Sequence, residues 1–424
     1  MKVLFLTEIP DPRVGSSVRQ MYQHARRLRE LGHETVCVST VRAAGDASTT
    51  EIEGMRVHRI HSDYNVRWRG WVSLHNRAID EPLAKILAEE QPDIAHAHLV
   101  HTHLGYHSLT QAARAGAAVV FTAHDVMTFC YQKLTCFHGG EEKTGTEWDV
   151  TARLSKCIPC QRFRLRPGRN RRILEVLRRD VDQFTVVSDE LGKVLRANAV
   201  PVHATVHNAI ELGPQFSDER VAAFREKLGL TGKLVLAIGG RLHSQKGVGK
   251  LLEMMARLKP DFPELRLIVM GKRDVYDGEF QPQARELGVD GMVVPTGWLD
   301  GDELRLAYAA CDVFVTPSIC FDTFGLVNLE AMEYSKPVVA TEFGGSKEVV
   351  SDGETGFIAN PFDVETYAER LGRLLADPEL RRRMGQAGYL RLQQRFMIEQ
   401  HTDAFLGVYA AAIASKRDGL TPAS

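Results

Sequence analysis

The chain has 424 residues and carries 53 Lys and Arg against 54 Asp and Glu, which gives a formal net charge of −1. This balance excludes recruitment of nucleic acid by overall charge. The apolar content of 44% and the charged content of 25% exclude a disordered chain and are typical of a globular protein. Because one hydrophobic core rarely serves so long a chain, the length predicts two domains of roughly 200 residues each.

The first residues and the hydropathy of the chain bear on its compartment. No apolar run approaches the roughly 18 to 20 residues of a membrane-spanning helix. The predicted strand Val3–Leu6 follows Met1 and Lys2 directly, so no signal peptide is expected. We therefore expect a cytoplasmic protein, in which the seven cysteines are reduced thiols or metal ligands rather than disulfides.

The N-terminal half alternates short apolar runs with amphipathic segments. An amphipathic helix over 16–31 follows the first strand and ends at Gly32, and the loop before it contains Gly15 and Ser16, a candidate cradle of backbone N–H groups. The alternation predicts a parallel, doubly wound, Rossmann-like sheet that binds ligands at the carboxyl ends of its strands. Further strands are predicted at 34–39, 56–60, 93–96, 118–123, 183–187 and 202–206, with helices at about 76–90 and 104–115.

Histidines stand at two of these predicted strand ends. His96 and His98 close one strand, and His124 with Asp125 closes another, so both sets are expected at the ligand-binding edge. A histidine there can donate to a sugar hydroxyl or a phosphate oxygen. The alternative, a polar cluster without a ligand role, is favoured for His96, His101 and His103.

Four cysteines lie in a loop-rich insertion in the pattern C-x5-C…C-x2-C. Four thiolates can hold a structural zinc ion tetrahedrally, and such a site leaves no open position for catalysis. Reduced thiols and disulfides are the alternatives. The candidate zinc ligands are Cys130, Cys136, Cys157 and Cys160.

The segment 153–180 carries ten basic residues against only Glu175 and Asp180, a local charge of about +8. Apolar residues are interleaved with the cations, among them Phe163, Ile173 and Leu177. Such a segment suits the headgroups of an anionic membrane or a phosphorylated acceptor. The alternative is a basic helix exposed only to water.

A second series of strands and helices begins after residue 230. Its first strand, 234–238, runs into the glycine-rich loop 239–247, where Gly240, Arg241 and Lys246 precede a helix from 247 to 258. Two cations on such a loop indicate a clamp for a diphosphate. Further strands are predicted at 265–270, 292–294, 312–315 and 337–341.

The stretch 317–332 joins the strand at 312–315 to a helix predicted over 325–335. Gly325 allows the backbone to approach a ligand, and the helix start suits a phosphate. Asp322 precedes the helix and Glu330 lies more than a turn inside it, so the two acids are too far apart to share a proton and are expected to bind hydroxyl groups.

These motifs together resemble the retaining nucleotide-sugar glycosyltransferases of the GT-B fold, the large group that includes sucrose synthase, bacterial glycogen synthase and phosphatidylinositol mannosyltransferases. The similarity extends over nearly the whole chain and is most specific in Gly240-Arg-Leu-x3-Lys-Gly247 and in the pair Asp322 and Glu330. The resemblance implies an α/β fold of two Rossmann-like doubly wound domains that face a central cleft.

The resemblance also implies roles for individual residues. Arg241 and Lys246 would bind the donor diphosphate, Glu330 the ribose hydroxyls, and Asp322 and His124 would lie at the donor sugar. Asp322 stands where the family usually has Glu, which shortens the side chain by one methylene, and Ser16 stands where it usually has a second glycine. The donor-binding set is Gly15, Ser16, Gly240, Thr323, Phe324, Gly325 and Leu326.

The resulting hypothesis is a retaining hexosyltransferase that uses a nucleotide-diphosphate sugar, such as a UDP-sugar, without a catalytic metal or organic cofactor. A non-catalytic nucleotide-sugar-binding protein and a sugar-nucleotide epimerase of the same fold are the alternatives. Peripheral contact with an anionic membrane through 153–180 is expected, and no nucleic-acid partner. The predicted organisation is an acceptor-binding domain over 1–210 with a Cys-rich insertion at 126–160, a linker at 211–230, a donor-binding domain over 231–395, a C-terminal helix at 396–414 that crosses back to the first domain, and a tail at 415–424.

Overall fold

The computed structural model describes residues 1–132, 134–137, 148–240 and 242–420, which form two compact units. The N-terminal unit comprises Met1–Leu134, Val150–Ala209 and the C-terminal segment from Ile398. The C-terminal unit comprises Thr135–Asp149 and Ile210–Met397.

An eight-stranded sheet forms the centre of the N-terminal unit. The strand order is β3-β4-β2-β1-β5-β6-β7-β8, and every pair is parallel except β3 with β4. Its inner strands are apolar because helices cover both faces: Val3, Leu4, Phe5 and Leu6 are fully buried. The strands are β1 Lys2–Thr7, β2 Glu34–Val41, β3 Ser48–Ile52, β4 Met55–His61, β5 Ile94–Leu99, β6 Ala118–Ala123, β7 Gln183–Val186 and β8 Ala204–Thr205.

Helices from both ends of the chain cover this sheet. They are α1 Ser16–Glu30, α2 Arg69–Val72, α3 Asp80–Glu90, α4 His107–Arg114, α5 Leu154–Gln161, α6 Arg169–Asp180, α7 Asp189–Ala197 and α17 Ile398–Leu420. Helix α1 buries a stripe at helical spacing that includes Met21, Ala25 and Leu28. Phe405 and Tyr409 of α17 complete the same core, so the last helix belongs to the N-terminal unit.

The C-terminal unit is built around a six-stranded, fully parallel sheet. Its strand order is β11-β10-β9-β12-β13-β14. The strands are β9 Leu234–Gly239, β10 Leu265–Met270, β11 Val293–Gly297, β12 Val313–Thr316, β13 Val338–Thr341 and β14 Gly356–Ala359. The helices are α8 Asp218–Lys227, α9 Val248–Leu258, α10 Arg273–Val275, α11 Gln281–Glu286, α12 Gly301–Ala310, α13 Leu326–Glu333, α14 Ser346–Val349, α15 Val364–Ala376 and α16 Pro378–Arg395.

These two parallel-sheet α/β units confirm the predicted fold class, and several local predictions need correction. Strand β3 was missed because Ser48-Thr-Thr-Glu-Ile52 is polar and largely exposed at the sheet edge. Strand β14 was also missed. The predicted linker 211–230 contains α8, which buries Phe224 and belongs to the C-terminal unit. His96 and His98 lie within β5 rather than at its end, and both are buried.

The segment 153–180 also differs from its prediction. It forms α5, a short turn and α6, and its Ile173 and Leu177 are fully buried in the N-terminal unit instead of facing outward. Arg169 is 5% exposed, so one of the ten cations is internal. The apolar spacing that suggested a membrane face on α6 is therefore the spacing of a core-facing helix.

A network of buried histidines joins α17 to the sheet. The hydroxyl of Tyr409 contacts Nε2 of His24 at 2.9 Å and Nδ1 of His96 at 2.8 Å, and Nε2 of His96 contacts Thr122 Oγ1 at 2.7 Å. His401 Nδ1 donates to the carbonyl oxygen of His207 at 2.8 Å. Burial lowers the pKa of His24 and His96 well below its ordinary value and that of His401 to about 4, so these rings are neutral in the folded protein.

We predict that acid destabilises the fold from pH 6.5 downward. Burial lowers the pKa of His124 and His401 from 6.5 to about 4, so between these values the unfolded chain binds protons that the folded chain does not. Each such histidine lowers the free energy of unfolding by up to about 1.4 kcal/mol per pH unit. Glu8 changes the free energy of unfolding in the opposite direction, because burial raises its pKa from 4.5 to about 7 and the folded chain then binds the extra proton. Its contribution offsets that of one histidine.

Urea unfolding at pH 8, 7, 6 and 5 measures this slope. The variant His124→Gln should reduce the slope by about one proton. A free energy of unfolding that stays constant from pH 7 to pH 5 would contradict the argument.

Candidate active site

Three loops meet at the carboxyl-terminal edge of the sheet in the C-terminal unit. They follow β9, β12 and β13, and backbone hydrogen bonds join them: Ile319 N to Gln245 O at 3.0 Å, Asp322 N to Phe343 O at 3.0 Å, and Gly345 N to Asp322 O at 2.7 Å. The chain leaves β9 toward β10 on one side, while β12 lies on the other. Parallel sheets bind their ligands at this kind of switch in strand order.

Two glycines allow these loops to approach so closely. Gly247 and Gly344 have φ values of 73° and 94°, in the region that favours glycine. A Cβ atom on Gly247 would overlap the carbonyl oxygen of Pro317, and one on Gly344 would overlap that of Asp322. The backbone geometry of the site therefore depends on the absence of side chains at both positions.

A cation and a carboxylate lie together on the joined loops. Lys246 Nζ is 3.5 Å from Asp322 Oδ2, and Ser318 donates its hydroxyl to the same oxygen at 3.3 Å. The side chain of Asp322 is only 8% exposed, whereas that of Lys246 is 40% exposed. The ammonium group is therefore accessible to an anionic ligand while the carboxylate is fixed beneath it. Arg241, the predicted second cation, lies outside the described residues.

Glu330 lies on α13 and accepts a hydrogen bond from Tyr308 Oη at 2.5 Å. The helix begins after Gly325, whose left-handed φ of 80° turns the chain, and a Cβ there would lie 2.6 Å from Asn328 Nδ2. Asn328 is fully buried, accepts from Thr316 Oγ1 at 3.0 Å and donates to Ser346 Oγ at 3.3 Å. The orientation of α13 is thus fixed by polar contacts to two neighbouring elements.

Tyr308, Ser318, Asn328 and Ser346 were not among the predicted site residues. The sequence signal that could have found Asn328 is its polar amide in an apolar run, between Val327 and Leu329. Among the predicted donor-binding residues, Gly240 has a φ of 110°, and the position that a Cβ atom would occupy there is open. Phe324 is 1% exposed and packs against Phe396, so its side chain belongs to the core.

In the N-terminal unit the strand order switches between β1 and β5, and a carboxylic acid lies there. Glu8, after β1, accepts hydrogen bonds from the backbone N–H groups of Thr102 at 2.5 Å and Leu104 at 3.3 Å. Burial raises its pKa to about 7. Glu8 was not among the predicted site residues. Gly15, with a φ of 102°, precedes α1, which begins at Ser16.

His124 directly follows β6 at the same edge of this sheet. Its Nε2 is 2.8 Å from Nδ1 of His98, and burial lowers the pKa of His124 to about 4. Several buried polar atoms here have no partner among the described residues, including His124 Nδ1, His98 Nε2, Thr7 Oγ1 and Thr128 Oγ1. Since buried polar atoms are normally hydrogen-bonded, these atoms are available to a polar ligand.

The predicted zinc ligands do not come together in the N-terminal unit. Cys130, Cys157 and Cys160 belong to this unit, and Cys136 belongs to the other. Among the described residues, groups of three or more ligand atoms within 4.8 Å of one another include none of these cysteines. Structural zinc stays a prediction, which elemental analysis of chelator-free protein can test.

Sequence models of two families match the chain, one on each half. "Glycosyltransferase Family 4" matches residues 17–214, and "Glycosyl transferases group 1" matches residues 221–391. The chain belongs to the GT-B glycosyltransferases. The first match covers much of the N-terminal unit, and the second lies within the C-terminal unit, which contains the three joined loops.

Individual relatives of this glycosyltransferase differ in how much of them is matched. The sulfoquinovosyl transferase SQD2 of Arabidopsis thaliana is 29% identical over 400 residues, which are 91% of this chain and 68% of that protein. A D-inositol 3-phosphate glycosyltransferase of Stackebrandtia nassauensis is 37% identical over 201 residues, and the match spans 45% of each chain.

A solved structure shows the same fold. HepE of Anabaena, in complex with UDP and glucose, superposes with a TM-score of 0.73 at 18% identity and covers 97% of this chain and 100% of its own. In the described part of this glycosyltransferase, no helix has the length and apolar character needed to cross a membrane.

The glycine contacts lead to a stability prediction with a matched control. Gly344→Ala should destabilise the C-terminal unit by several kcal/mol, because it adds a backbone clash to the left-handed strain of roughly 1–2 kcal/mol. Gly353→Ala should lower the free energy of unfolding only by the left-handed backbone strain, because Gly353 has a φ of 80° and no atom lies within 4 Å of the added Cβ. Denaturant unfolding of both variants measures the difference, and equal losses would exclude the clash.

Proposed function

We propose that this glycosyltransferase moves a sugar from a nucleotide-diphosphate sugar to an acceptor hydroxyl with retention of anomeric configuration. The observation that carries the proposal is the placement of Lys246, Asp322 and Glu330 on joined loops and one helix at the strand switch of the C-terminal unit. Donor binding is assigned to this unit and acceptor binding to the N-terminal unit.

The donor contacts follow from the chemistry of these side chains. An exposed ammonium at Lys246, together with Arg241 and the first N–H groups of α13, suits a diphosphate. The carboxylate of Glu330 can accept hydrogen bonds from hydroxyl groups, and the hydrogen bond from Tyr308 fixes its orientation. A carboxylate held in this way suits the two hydroxyls of a ribose. That HepE was solved with UDP and with UDP-glucose supports a UDP-sugar as the first donor to test.

The transfer itself needs little from a protein base. In a same-face attack the acceptor oxygen bonds to the anomeric carbon as the bond from that carbon to the diphosphate oxygen breaks. The acceptor proton passes to the departing phosphate oxygen, so no separate base is required. The negative charge that grows on the diphosphate is stabilised by nearby cations, of which Lys246 is held on the joined loops before the reaction begins.

Asp322 is assigned to the donor sugar rather than to the nucleotide. Asp322 is already paired with Lys246, and one of its carboxylate oxygens also accepts from Ser318. His124 is neutral because its pKa is about 4, so its ring can donate one hydrogen bond to a hydroxyl without adding charge. Glu8, with its pKa near 7, can be protonated or ionised near neutral pH. It can therefore donate a hydrogen bond to the acceptor substrate at the N-terminal unit, or accept one from it.

A contact with anionic membrane is proposed for one face of the N-terminal unit. Trp68 and Trp71 are 53% and 43% exposed, and Leu154 and Ile158 on α5 are 66% and 52% exposed. Cations at Arg162 and Arg164 accompany them. Aromatic, aliphatic and arginine side chains in this combination suit the boundary between headgroups and acyl chains.

Turnover of a panel of nucleotide sugars tests the proposed function. Purified protein is incubated with UDP-, GDP- and ADP-sugars and an acceptor pool, and release of the nucleoside diphosphate is followed. NMR of the product should show the anomeric configuration of the donor. Inverted product would exclude the same-face mechanism, binding without turnover would favour a non-catalytic binding protein, and conversion without any acceptor would favour an epimerase.

Single substitutions should separate leaving-group stabilisation from sugar positioning. Lys246→Ala should lower kcat by roughly 10²-fold, the scale of losing one preorganised electrostatic donor. Asp322→Asn should lower kcat with little change in affinity for free nucleoside diphosphate, whereas Glu330→Gln should weaken that affinity directly. Lys227→Ala, at an exposed lysine of α8, is the charge-matched control and should behave as wild type.

Calorimetric titration with the nucleoside diphosphate and steady-state kinetics give both quantities. Equal loss of nucleotide affinity in the Asp322 and Glu330 variants would contradict the division of roles. Because Lys246 neutralises Asp322, the double variant Lys246→Ala/Asp322→Asn reports whether a loss in the single variant reflects an unpaired carboxylate.

A further inference from the structure

A cavity of about 340 Å³ lies in the N-terminal unit, away from the histidine network. It is formed by the loop after β4, the loop after β6 and the end of α5 with the turn that follows. Its volume is roughly ten times the share of one water molecule in the liquid, about 30 Å³. The residues that line it are Asn65, Val66, Arg67, Arg69, Gly70, Tyr131, Gln132, Gln161 and Arg164.

The described lining of this cavity has three guanidinium groups and no carboxylate. Neither Arg67 nor Arg69 forms an ion pair with a described residue: Arg67 Nε donates to Asn65 Oδ1 at 3.3 Å, and Arg69 donates to the carbonyl oxygen of Tyr131 at 3.1 Å. Guanidinium groups stay charged at any physiological pH. Arg67 and Arg69 carry like charges beside the same space, so they repel each other, and an anion between them would attract both.

Contacts behind the cavity hold Arg69 in place. The Arg69 guanidinium lies 4.7 Å from the centre of the Tyr131 ring, and the buried Arg169 lies 3.7 Å from it. Arg169 also donates to the carbonyl oxygen of Met127 at 2.7 Å. A Cβ on Gly70 would lie 3.2 Å from the carbonyl oxygen of Arg164, so glycine lets the two loops approach. A preorganised arrangement of this kind loses less entropy when a ligand binds.

The cavity also stands at the edge of the sheet where ligands bind. Strands β4 and β6 are parallel members of one sheet, and the cavity loops follow their carboxyl ends. The first part of the loop after β6, from His124 to Tyr131, includes Thr128, whose buried Oγ1 has no partner among the described residues. The cavity and the polar atoms near His124 are therefore joined by one short segment of chain.

We infer that this cavity binds a phosphate ester. Guanidinium groups donate two parallel hydrogen bonds to phosphate oxygens, and the amides of Gln132 and Gln161 add neutral donors. The space exceeds that of a phosphate alone, so it also receives part of the molecule that carries the group. The ester is either a soluble phosphorylated acceptor or the headgroup of an anionic lipid; only its role as acceptor rests on the proposed function.

Direct binding tests the inference without any measurement of activity. Isothermal titration with glycerol phosphate, and separately with inorganic phosphate, is carried out on wild type and on Arg67→Gln/Arg164→Gln, which leaves Arg69 on Tyr131. We expect affinity in the double variant to fall by at least about 10-fold, since each lost charge-assisted contact accounts for about that factor. Raised salt should weaken binding to wild type.

The control Arg77→Gln/Arg171→Gln removes the same charge from exposed positions of the same unit that do not line the cavity. It should bind the esters as wild type does. Equal affinity in the two double variants would overturn the inference, and so would the absence of phosphate and vesicle binding in wild type.

Vesicles distinguish the two sources of the ester. Phosphatidylglycerol vesicles, with phosphatidylcholine as the neutral reference, are sedimented with each protein. Loss of binding only in Arg67→Gln/Arg164→Gln supports a lipid headgroup, whereas binding of glycerol phosphate without vesicle binding supports a soluble acceptor. If the protein binds the ester specifically but turns over no nucleotide sugar, the cavity is a phosphate-ester site and the proposed function is rejected. If it turns over a nucleotide sugar but binds no ester, only the assignment of the cavity is rejected.

Discussion

The close approach of backbone to backbone in the C-terminal unit is the constraint on which its site depends. Gly247 lies against the carbonyl of Pro317, and Gly344 against that of Asp322, at distances that leave no room for a Cβ atom. Backbone hydrogen bonds then join the loops after β9, β12 and β13. Because of this, Lys246 reaches Asp322 from a different loop, and their geometry follows from backbone packing and not from side-chain flexibility.

Electrostatics differ between the two units, and the difference suits their assigned roles. The C-terminal unit presents an exposed ammonium beside a buried carboxylate, an arrangement for charged donor groups. At the strand switch of the N-terminal unit, burial keeps His98 and His124 neutral and brings the pKa of Glu8 to about 7. Neutral donors and acceptors distinguish hydroxyl groups without attracting every anion in solution.

The cations of the N-terminal unit have more than one role. Arg169 is buried and stacks on Tyr131, so its charge serves the structure of a loop. Arg67, Arg69 and Arg164 surround a cavity, while others, such as Arg171 beside Glu175, lie on an exposed helix face. A high density of basic residues in sequence therefore separates, once folded, into structural, ligand-binding and solvated groups. Each group makes a different contribution to binding and stability.

The sequence by itself determined the two parallel sheets, the loops that bear Lys246 and Asp322 and the helix that bears Glu330, because apolar runs, helical stripes and glycines at strand ends are local signals. It did not show Glu8, Tyr308 or β3, since an isolated acid, a single tyrosine near the end of a helix and a polar edge strand carry no periodic pattern. Only the tertiary structure decided that His96 bonds to Tyr409, 313 residues away, and that the loop 65–70 meets Arg164 around one cavity. Contacts between distant segments depend on strand register and helix packing, which short-range patterns do not contain.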